Sequence, residues 1–201
     1  MNREISFSGA LAAKVQKAPK APLTWRVRNT LRPSFILGWL ANLLARSFTL
    51  LTGIPTLTAT LSARLIKASG EVVDYGVVCH RVVTTAFAID LVDELQASQA
   101  TFSTYRYHGS GTDNTAEDAS DTELGVEVES RASGTQTEAS TTVYRSVGTV
   151  AYTATRTIVE HGLFDSSSSG TLMDRSVFTG IGVNSGDSIQ FTYDLTVNAG
   201  G

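Results

Sequence analysis

Three histidines are the residues of this 201-residue chain best suited to acid–base chemistry near neutral pH. His80, His108 and His161 lie in unrelated stretches, and none has a partner four residues away, the spacing of a helical metal pair. His161 is the sharpest candidate, because the carboxylate of Glu160 beside it could raise its pKa. Since Gly162 follows, we expect His161 to close a turn by hydrogen bonding rather than to act in catalysis.

Acidic side chains form the second group with possible chemistry. Asp113, Asp118 and Asp121 could gather a calcium ion, but their spacing lacks the Asp-x-Asp-x-Asp-Gly order of a calcium loop. A solvated acidic loop is therefore expected. Glu127 and Glu129 share one face of a predicted strand, without the aromatic platform that a sugar-cleaving site needs. Neither set predicts a metal site or a catalytic pair.

The single cysteine, Cys79, lies in the apolar run GVVCHRVV, which predicts a small buried side chain rather than a nucleophile. One cysteine cannot form an internal disulfide, which is typical of assembly in a reducing cytoplasm. The chain also lacks a Gly-x-Ser-x-Gly motif, a phosphate-binding loop and a cysteine cluster. The sequence therefore predicts a protein that is not an enzyme and that has no cofactor or metal.

Charge is divided sharply along the chain. Residues 1–67 contain ten Lys and Arg against one acid, a formal charge of +9, whereas residues 68–201 contain six Arg against eighteen acids, a formal charge of −12. This division predicts a basic end that binds an acidic partner and an acidic body that stays away from it. Nucleic acid is the less favoured partner, because the body would repel a phosphate backbone.

The first segment, residues 1–33, is predicted to be an extended basic arm. Pro19, Pro22 and Pro33 remove backbone donors and favour extended conformations, so a helix is not expected past residue 18. No strand is expected to depend on this arm, which would become ordered on a neighbouring molecule. With the start of the next segment it supplies the predicted anchoring residues, Lys14, Lys17, Lys20, Trp25, Arg26, Arg28, Arg32, Phe35 and Trp39.

The second segment, residues 34–100, begins with a short hydrophobic helix. Ser34 can cap this helix, and its apolar part, Phe35 to Ala45, is eleven residues long. That is well short of the roughly 20 residues needed to cross a bilayer. We therefore expect no membrane insertion, and a helix that is buried between subunits.

A β-hairpin and an amphipathic helix are predicted to complete the second segment. Alternation of apolar and polar residues from Leu57 to Leu65, followed by a turn and the run Val72 to Val83, indicates two paired strands. Thr84 or Thr85 can cap the helix that follows. We expect that helix to pack across the hairpin.

The third segment, residues 101–201, is predicted to be an antiparallel β-sandwich or jelly-roll-like domain, so the chain is expected to be mainly β. Its clearest strand runs from Ile189 to Val197, where apolar and polar residues alternate. Turn residues at 166–170 and 185–187 predict an antiparallel meander from Thr157 to Val197. The polar stretch Gly109 to Ser120 is expected to be a surface loop.

Several segments of this domain resemble a group of virion proteins of tailed bacteriophages. The resemblance covers roughly residues 70–201, and its motifs are EHGLF at 160–164, GTLMDRSVF at 170–178, SGDSIQFTY at 185–193, YHGSGT at 107–112, TAE at 115–117 and DT at 121–122. These motifs consist of residues typical of turns and strands rather than of catalytic residues. They imply a component of the particle without naming which one.

The resemblance implies a virion structural protein that is assembled in the host cytoplasm and binds the major capsid protein or other virion proteins. A capsid decoration or cement protein, anchored to the shell by its basic arm, is the favoured role. A homotrimer is the favoured state, because the resemblance is to small glycine-rich β-domains that are commonly trimers. A tail, neck or adsorption component is the alternative, and a nucleic-acid-binding protein is the least favoured.

Overall fold

The computed structural model describes residues 17–81, 83–95 and 102–198, so the predicted anchoring residue Lys14 lies outside the described residues. Its helices are α1 (Leu23–Thr30), α2 (Pro33–Thr52) and α3 (Thr85–Leu95), with a turn of 3-10 helix at Phe102–Thr104. Its strands are β1 (Thr56–Ile66), β2 (Val72–Arg81), β3 (Tyr107–Gly111), β4 (Glu127–Ser133), β5 (Thr135–Ser140), β6 (Val143–Ala151), β7 (Arg156–Phe164), β8 (Leu172–Val183) and β9 (Ser188–Asn198).

These strands form two antiparallel sheets, which confirms the prediction of a mainly β fold with a sandwich. Sheet A has the order β2-β1-β9-β6-β5, and sheet B has the order β4-β3-β7-β8. The core lies between the sheets: Leu61 and Phe191 of sheet A and Ile158 and Phe178 of sheet B are fully buried in one apolar cluster. Burial of this apolar surface is the main driving force for bringing the sheets together.

The predicted hairpin is confirmed, since β1 and β2 are antiparallel neighbours. β1 also pairs with β9 without interruption from Thr56↔Asn198 to Ile66↔Ser188. Sheet A therefore joins strands from both sides of the boundary predicted at residue 100, and a single core contains residues from both.

The predicted meander is half right. β7 and β8 are antiparallel neighbours, but β9 crosses to sheet A and lies between β1 and β6. The Asp187 carboxylate shapes this crossing by accepting from the amides of Ala68 and Asn184, both at 2.8 Å. The predicted alternation holds from Ile189 to Leu195, where each apolar residue is buried, but fails at Val197, which is 44% exposed. Phe191 packs against Phe178 of β8 in the opposite sheet.

α3 begins where the sequence predicts, but it packs elsewhere. The Thr84 hydroxyl oxygen accepts from the Phe87 amide at 3.2 Å, which confirms the capping residue. The backbone amide of Thr84 donates to the Met173 carbonyl at 2.9 Å, so the helix is attached to the start of β8 and not across the hairpin. The prediction that this helix packs across the hairpin is wrong. Of its apolar residues only Phe87 is buried, and the Phe87 ring packs against Tyr105.

The prediction of an extended arm is wrong for Leu23–Thr30, which form α1. Pro22 immediately precedes α1, and Pro33 is the first residue of α2. At these positions the missing amide of proline is not needed, so the prolines separate two helices rather than prevent them. Of the described residues before α1, Ala21 and Pro19 pair through their backbones with Asp74 of β2.

α2 is longer than predicted, with 20 residues instead of an apolar run of eleven. Arg46 does not end the helix, because its side chain lies on the face of the helix that is exposed to solvent. The helix continues to Gly53, whose φ of 73° ends it. By length and composition α2 could cross a membrane. The length argument made from the sequence against membrane insertion is therefore wrong.

Candidate interaction surface

α1 closes the side of the sandwich where edge strands of the two sheets meet. β2 is an edge of sheet A and β8 an edge of sheet B, and the Cys79 thiol of β2 donates to the Val177 carbonyl of β8 at 3.4 Å. Asn29 is buried between them: its Nδ2 donates to the Val78 carbonyl at 2.9 Å, and its Oδ1 accepts from the Thr179 amide at 3.0 Å. Because uncovered edges can pair with other chains, α1 protects this side of the sandwich.

Trp25, a predicted anchoring residue, contributes to the same closure. Its Nε1 donates to the Gly180 carbonyl at 2.8 Å, and its ring packs edge-on against Tyr75 with 4.6 Å between centroids. The expectation that no strand depends on residues 1–33 is therefore wrong, because α1 bridges β2 and β8 through Trp25 and Asn29.

The opposite side of α1 is exposed and both apolar and basic. Leu23, Val27 and Leu31 are 70, 46 and 67% exposed and follow one another along one face. Arg26 and Arg28 lie exposed on either side of that line. We call these five residues the α1 surface. Its chemistry suits a partner that offers apolar contacts beside carboxylates.

α2 lies on the outer face of sheet A through small and polar residues. A Cβ at Gly38 would be 2.3 Å from the His80 carbonyl oxygen, so only glycine permits this approach. Asn42 Nδ2 donates to the Ala59 carbonyl at 3.1 Å, and the Thr49 and Thr56 hydroxyls are 2.7 Å apart. These contacts hold α2 along its length, so the helix cannot leave the sheet without losing them.

The large apolar residues of α2 point away from the sandwich, which is the reverse of an ordinary surface helix. We call the following residues the α2 stripe: Ile36, Leu37, Leu40, Leu43, Leu44, Leu50 and Leu51. Their exposure ranges from 39% at Leu40 to 86% at Leu51. Soluble monomers rarely expose so much contiguous apolar surface, so the stripe is expected to be covered by another molecule.

The remaining predicted anchoring residues differ in how far they are available. Lys17 is exposed, whereas Lys20 forms an ion pair with Asp74. Arg32 is half-buried at the start of α2, and Phe35 packs on the His80 ring with 4.9 Å between centroids. The last, Trp39, is 50% exposed and borders the α2 stripe.

Two of the three histidines lie together, so the sequence interpretation that all three are unrelated is wrong for His108 and His161. His108 of β3 and His161 of β7 lie fully buried on neighbouring strands, with His108 Nδ1 2.9 Å from His161 Nε2. His108 Nε2 is 2.9 Å from the Ser146 hydroxyl of sheet A. His161 is inside a strand, so it does not close a turn. The available signal was the repeated His-Gly pair, because Gly109 and Gly162 are directly opposite each other.

Burial keeps this histidine pair neutral. Desolvation lowers the pKa of His108 to about 3, and desolvation together with His108 lowers the pKa of His161 well below its usual value. Glu160 does not raise the pKa of His161, because its carboxylate bonds to Arg175 instead. With neither histidine accessible to solvent, no substrate reaches them, and the pair belongs to the core.

Two of the three aspartates considered for calcium bind an arginine instead. Arg175 of β8 is 4% exposed and donates to Asp113 at 2.9 Å, to Asp121 at 3.1 Å and to Glu160 at 2.9 Å. Asp118 instead accepts from the backbone of Ser120 in its own loop. Among the described residues no group of three or more His, Cys, Asp or Glu is placed to hold a metal ion. Sequence reasoning missed Arg175 because its partners are distant in the chain.

Two smaller predictions concern single side chains. Cys79 is fully buried, as predicted. Glu127 binds Arg131 at 2.7 Å, whereas Glu129 lies at a positive φ of 61° and binds Thr153. The two glutamates therefore have separate partners and do not form a carboxylate pair.

The fold is a two-sheet β-sandwich whose helices α1 and α2 expose apolar side chains. Comparison with known proteins adds no identification: no family model, no curated protein and no solved structure matches this chain.

Proposed function

We propose that this chain is a structural protein of a bacteriophage virion, and specifically a capsid decoration or cement protein that binds the shell through the α1 surface. The observation that carries the proposal is the one-sided chemistry of the molecule. Residues 17–52 hold the exposed apolar side chains of α1 and α2, with six Lys and Arg and no acid. All strands of the sandwich except β1 belong to the part of the sequence with a formal charge of −12.

Such a distribution orients the molecule on an acidic partner. The α1 surface would be attracted to carboxylates on a shell, while the acidic sandwich would be turned away from them. Within the described residues, the exposed loops at 112–120 and 166–170 contain Ser, Thr, Gly and acids but no aromatic residue. Aromatic side chains dominate binding hot spots, so the outward face is poorly suited to adhesion.

The copy number in purified virions separates this role from that of a tail, neck or adsorption component. We expect a number comparable to that of the major shell protein, because a cement protein occupies symmetry-related sites over the whole shell. Quantitative gel densitometry of virions against the shell protein measures it. A ratio below about one in twenty would contradict the cement role and indicate a component of the portal or tail, whose symmetry allows far fewer copies.

The attachment itself is tested by reversing two charges of the α1 surface. We expect the Arg26→Glu/Arg28→Glu variant to bind particles that lack the protein at least about tenfold more weakly, because it would oppose an acidic partner. Both side chains are exposed, so the fold should persist, with an unchanged circular dichroism spectrum.

The matched control is Arg64→Glu/Arg106→Glu, which makes the same change in net charge at two exposed arginines of the sandwich. This control should bind almost as the unmodified chain does. Equal losses for the two variants would mean that net charge, and not the α1 surface, governs attachment. Undiminished binding of the α1 variant would contradict the proposed anchoring.

A further inference from the structure

The α2 stripe follows a heptad repeat. Counted from Pro33 as position a, the helix covers almost three heptads, with Ile36, Leu43 and Leu50 at d and Leu37, Leu44 and Leu51 at e. Position a holds Pro33, Leu40 and Ser47. All the d and e positions are thus Ile or Leu. Such a 3.5-residue period is the pattern of a helix that packs against other helices.

The side of α2 that binds the sandwich follows the same repeat. Gly38 and Ala45 occupy position f, and Asn42 and Thr49 occupy position c. These are the residues through which the helix contacts the sheet, or lies half-buried against it. Intramolecular packing therefore uses positions c and f, and leaves a, d and e together on the opposite side.

The width of the stripe indicates a bundle of more than two helices. A two-stranded coiled coil covers a and d and places charges at e and g, whereas an apolar a/d/e face is typical of a helix in a larger bundle. The sole charged residue of α2, Arg46, is at g, on the border of the stripe. The seven side chains of the stripe are 39 to 86% exposed, so this face is available to neighbouring helices.

The rest of the described chain does not supply the missing helices. α1 is eight residues long and α3 eleven, and the stripe is exposed in their presence. We infer that the stripe is covered by α2 of other copies of this chain, with at least three α2 helices packed side by side in parallel. Parallel packing follows because copies related by one rotation axis in a closed ring keep the same helix direction along that axis.

This inference concerns the chain by itself and does not rest on the proposed attachment to a shell. It assigns the α2 stripe to self-association and leaves the α1 surface for another partner. Its tests use purified protein, so it can fail while the proposed function stands, and the reverse.

Disulfide cross-linking of the full chain tests the arrangement. Cys79 is fully buried, so the unmodified chain is a background without an accessible thiol. We expect two copies of the Ile36→Cys variant to form a disulfide with each other under mild oxidation, and likewise two copies of the Leu50→Cys variant. The reason is that equivalent d positions face one another in a parallel bundle. Ala41→Cys, exposed on the same helix at position b, is the matched control and should cross-link poorly.

Cross-linking no stronger than that of Ala41→Cys would overturn the inference. Cross-links that appear only when the Ile36→Cys and Leu50→Cys proteins are mixed would also overturn it, since they would show antiparallel helices.

Analytical ultracentrifugation of the unmodified chain measures the number of copies in the assembly. We expect a mass of three or more chains at micromolar concentration, reduced to that of one chain by Leu43→Glu with an unchanged β-sheet spectrum. Ile89→Glu makes the same kind of change at a 57% exposed residue of α3 and should leave the mass unchanged. A monomeric unmodified chain overturns the inference, and binding of that monomer to phosphatidylglycerol vesicles would assign the stripe to a lipid surface instead.

Discussion

Replacing Arg175 with methionine should lower the free energy of unfolding by about 3–5 kcal/mol, the range for breaking a buried ion pair by removing one partner. Arg175 is 4% exposed and Glu160 is fully buried, so the remaining carboxylate would stay in the interior without its cation. Methionine fills much of the same volume, so the loss reports the missing charge rather than a large cavity.

The same substitution should loosen the loop that Glu160 organises. The Glu160 carboxylate accepts from the backbone amides of Asp113, Gly125 and Val126 at 2.9 to 3.1 Å, while Arg175 holds Asp113 and Asp121 from the other side. Loss of the guanidinium removes both side-chain contacts to the loop. Amide hydrogen exchange between residues 112 and 126 should therefore accelerate more than exchange in β9.

Chemical denaturation measures the effect, and Arg145→Met is the matched control. Arg145 forms two hydrogen bonds to the Asp194 carboxylate at 2.6 and 2.7 Å, but its side chain is 40% exposed. A pair screened by solvent contributes about 0–1 kcal/mol, so this control should lose far less. Similar losses in the two variants would contradict the idea that burial makes the Arg175 cluster important.

Acidification from pH 7 to pH 5 should destabilise the fold by about 4 kcal/mol, or about 2 kcal/mol for each of His108 and His161. Both pKa values are lowered in the folded state, to about 3 for His108, whereas the unfolded chain binds these protons near pH 6.5. The unfolded state therefore gains protons first as the pH falls. Stability is lost below about pH 6.5, and the loss continues until the folded histidines are protonated.

Carboxylates contribute in a lower pH range. The pKa of Asp187 is lowered by the backbone amides of Asn184 and Ala68, so its stabilising contribution is lost only as the pH falls below the usual aspartate range. The window from pH 7 to pH 5 therefore reports mainly histidine. The hydrogen bonds of the pair join the two histidines to each other and His108 to Ser146. None of these partners is a carboxylate that would offset the lowering of the pKa by desolvation.

Urea unfolding at pH 8, 7, 6 and 5 tests this dependence. The free energy should be nearly level from pH 8 to pH 7 and then fall, and His161→Gln should remove about half of the fall. His80→Gln, which leaves the buried pair intact, should retain the loss due to that pair. A free energy that stays level between pH 7 and pH 5 would show that the pair is protonated or hydrated in the folded chain.

Local patterns in the sequence were sufficient for several elements. The alternation from Ile189 to Leu195 indicated which face of β9 is buried, because side chains on a strand alternate between its two faces. A cap at Thr84 or Thr85 and the hairpin of β1 and β2 followed from neighbouring residues alone, and the structure assigns the cap to Thr84. The division of charge between the two parts of the chain is likewise a property of the sequence.

Other features required the tertiary structure because they depend on which distant segments meet. Alternation in β9 specifies a buried face but not a neighbouring strand, and β9 joins β1 rather than β8. The prolines predicted an extended arm, whereas Pro22 precedes α1 and Pro33 begins α2. What the local sequence could not show is that Asn29 of α1 bridges β2 and β8. The Arg175 cluster and the histidine pair join residues 15 to 62 positions apart, and contacts at such separations leave no periodic signal in the chain.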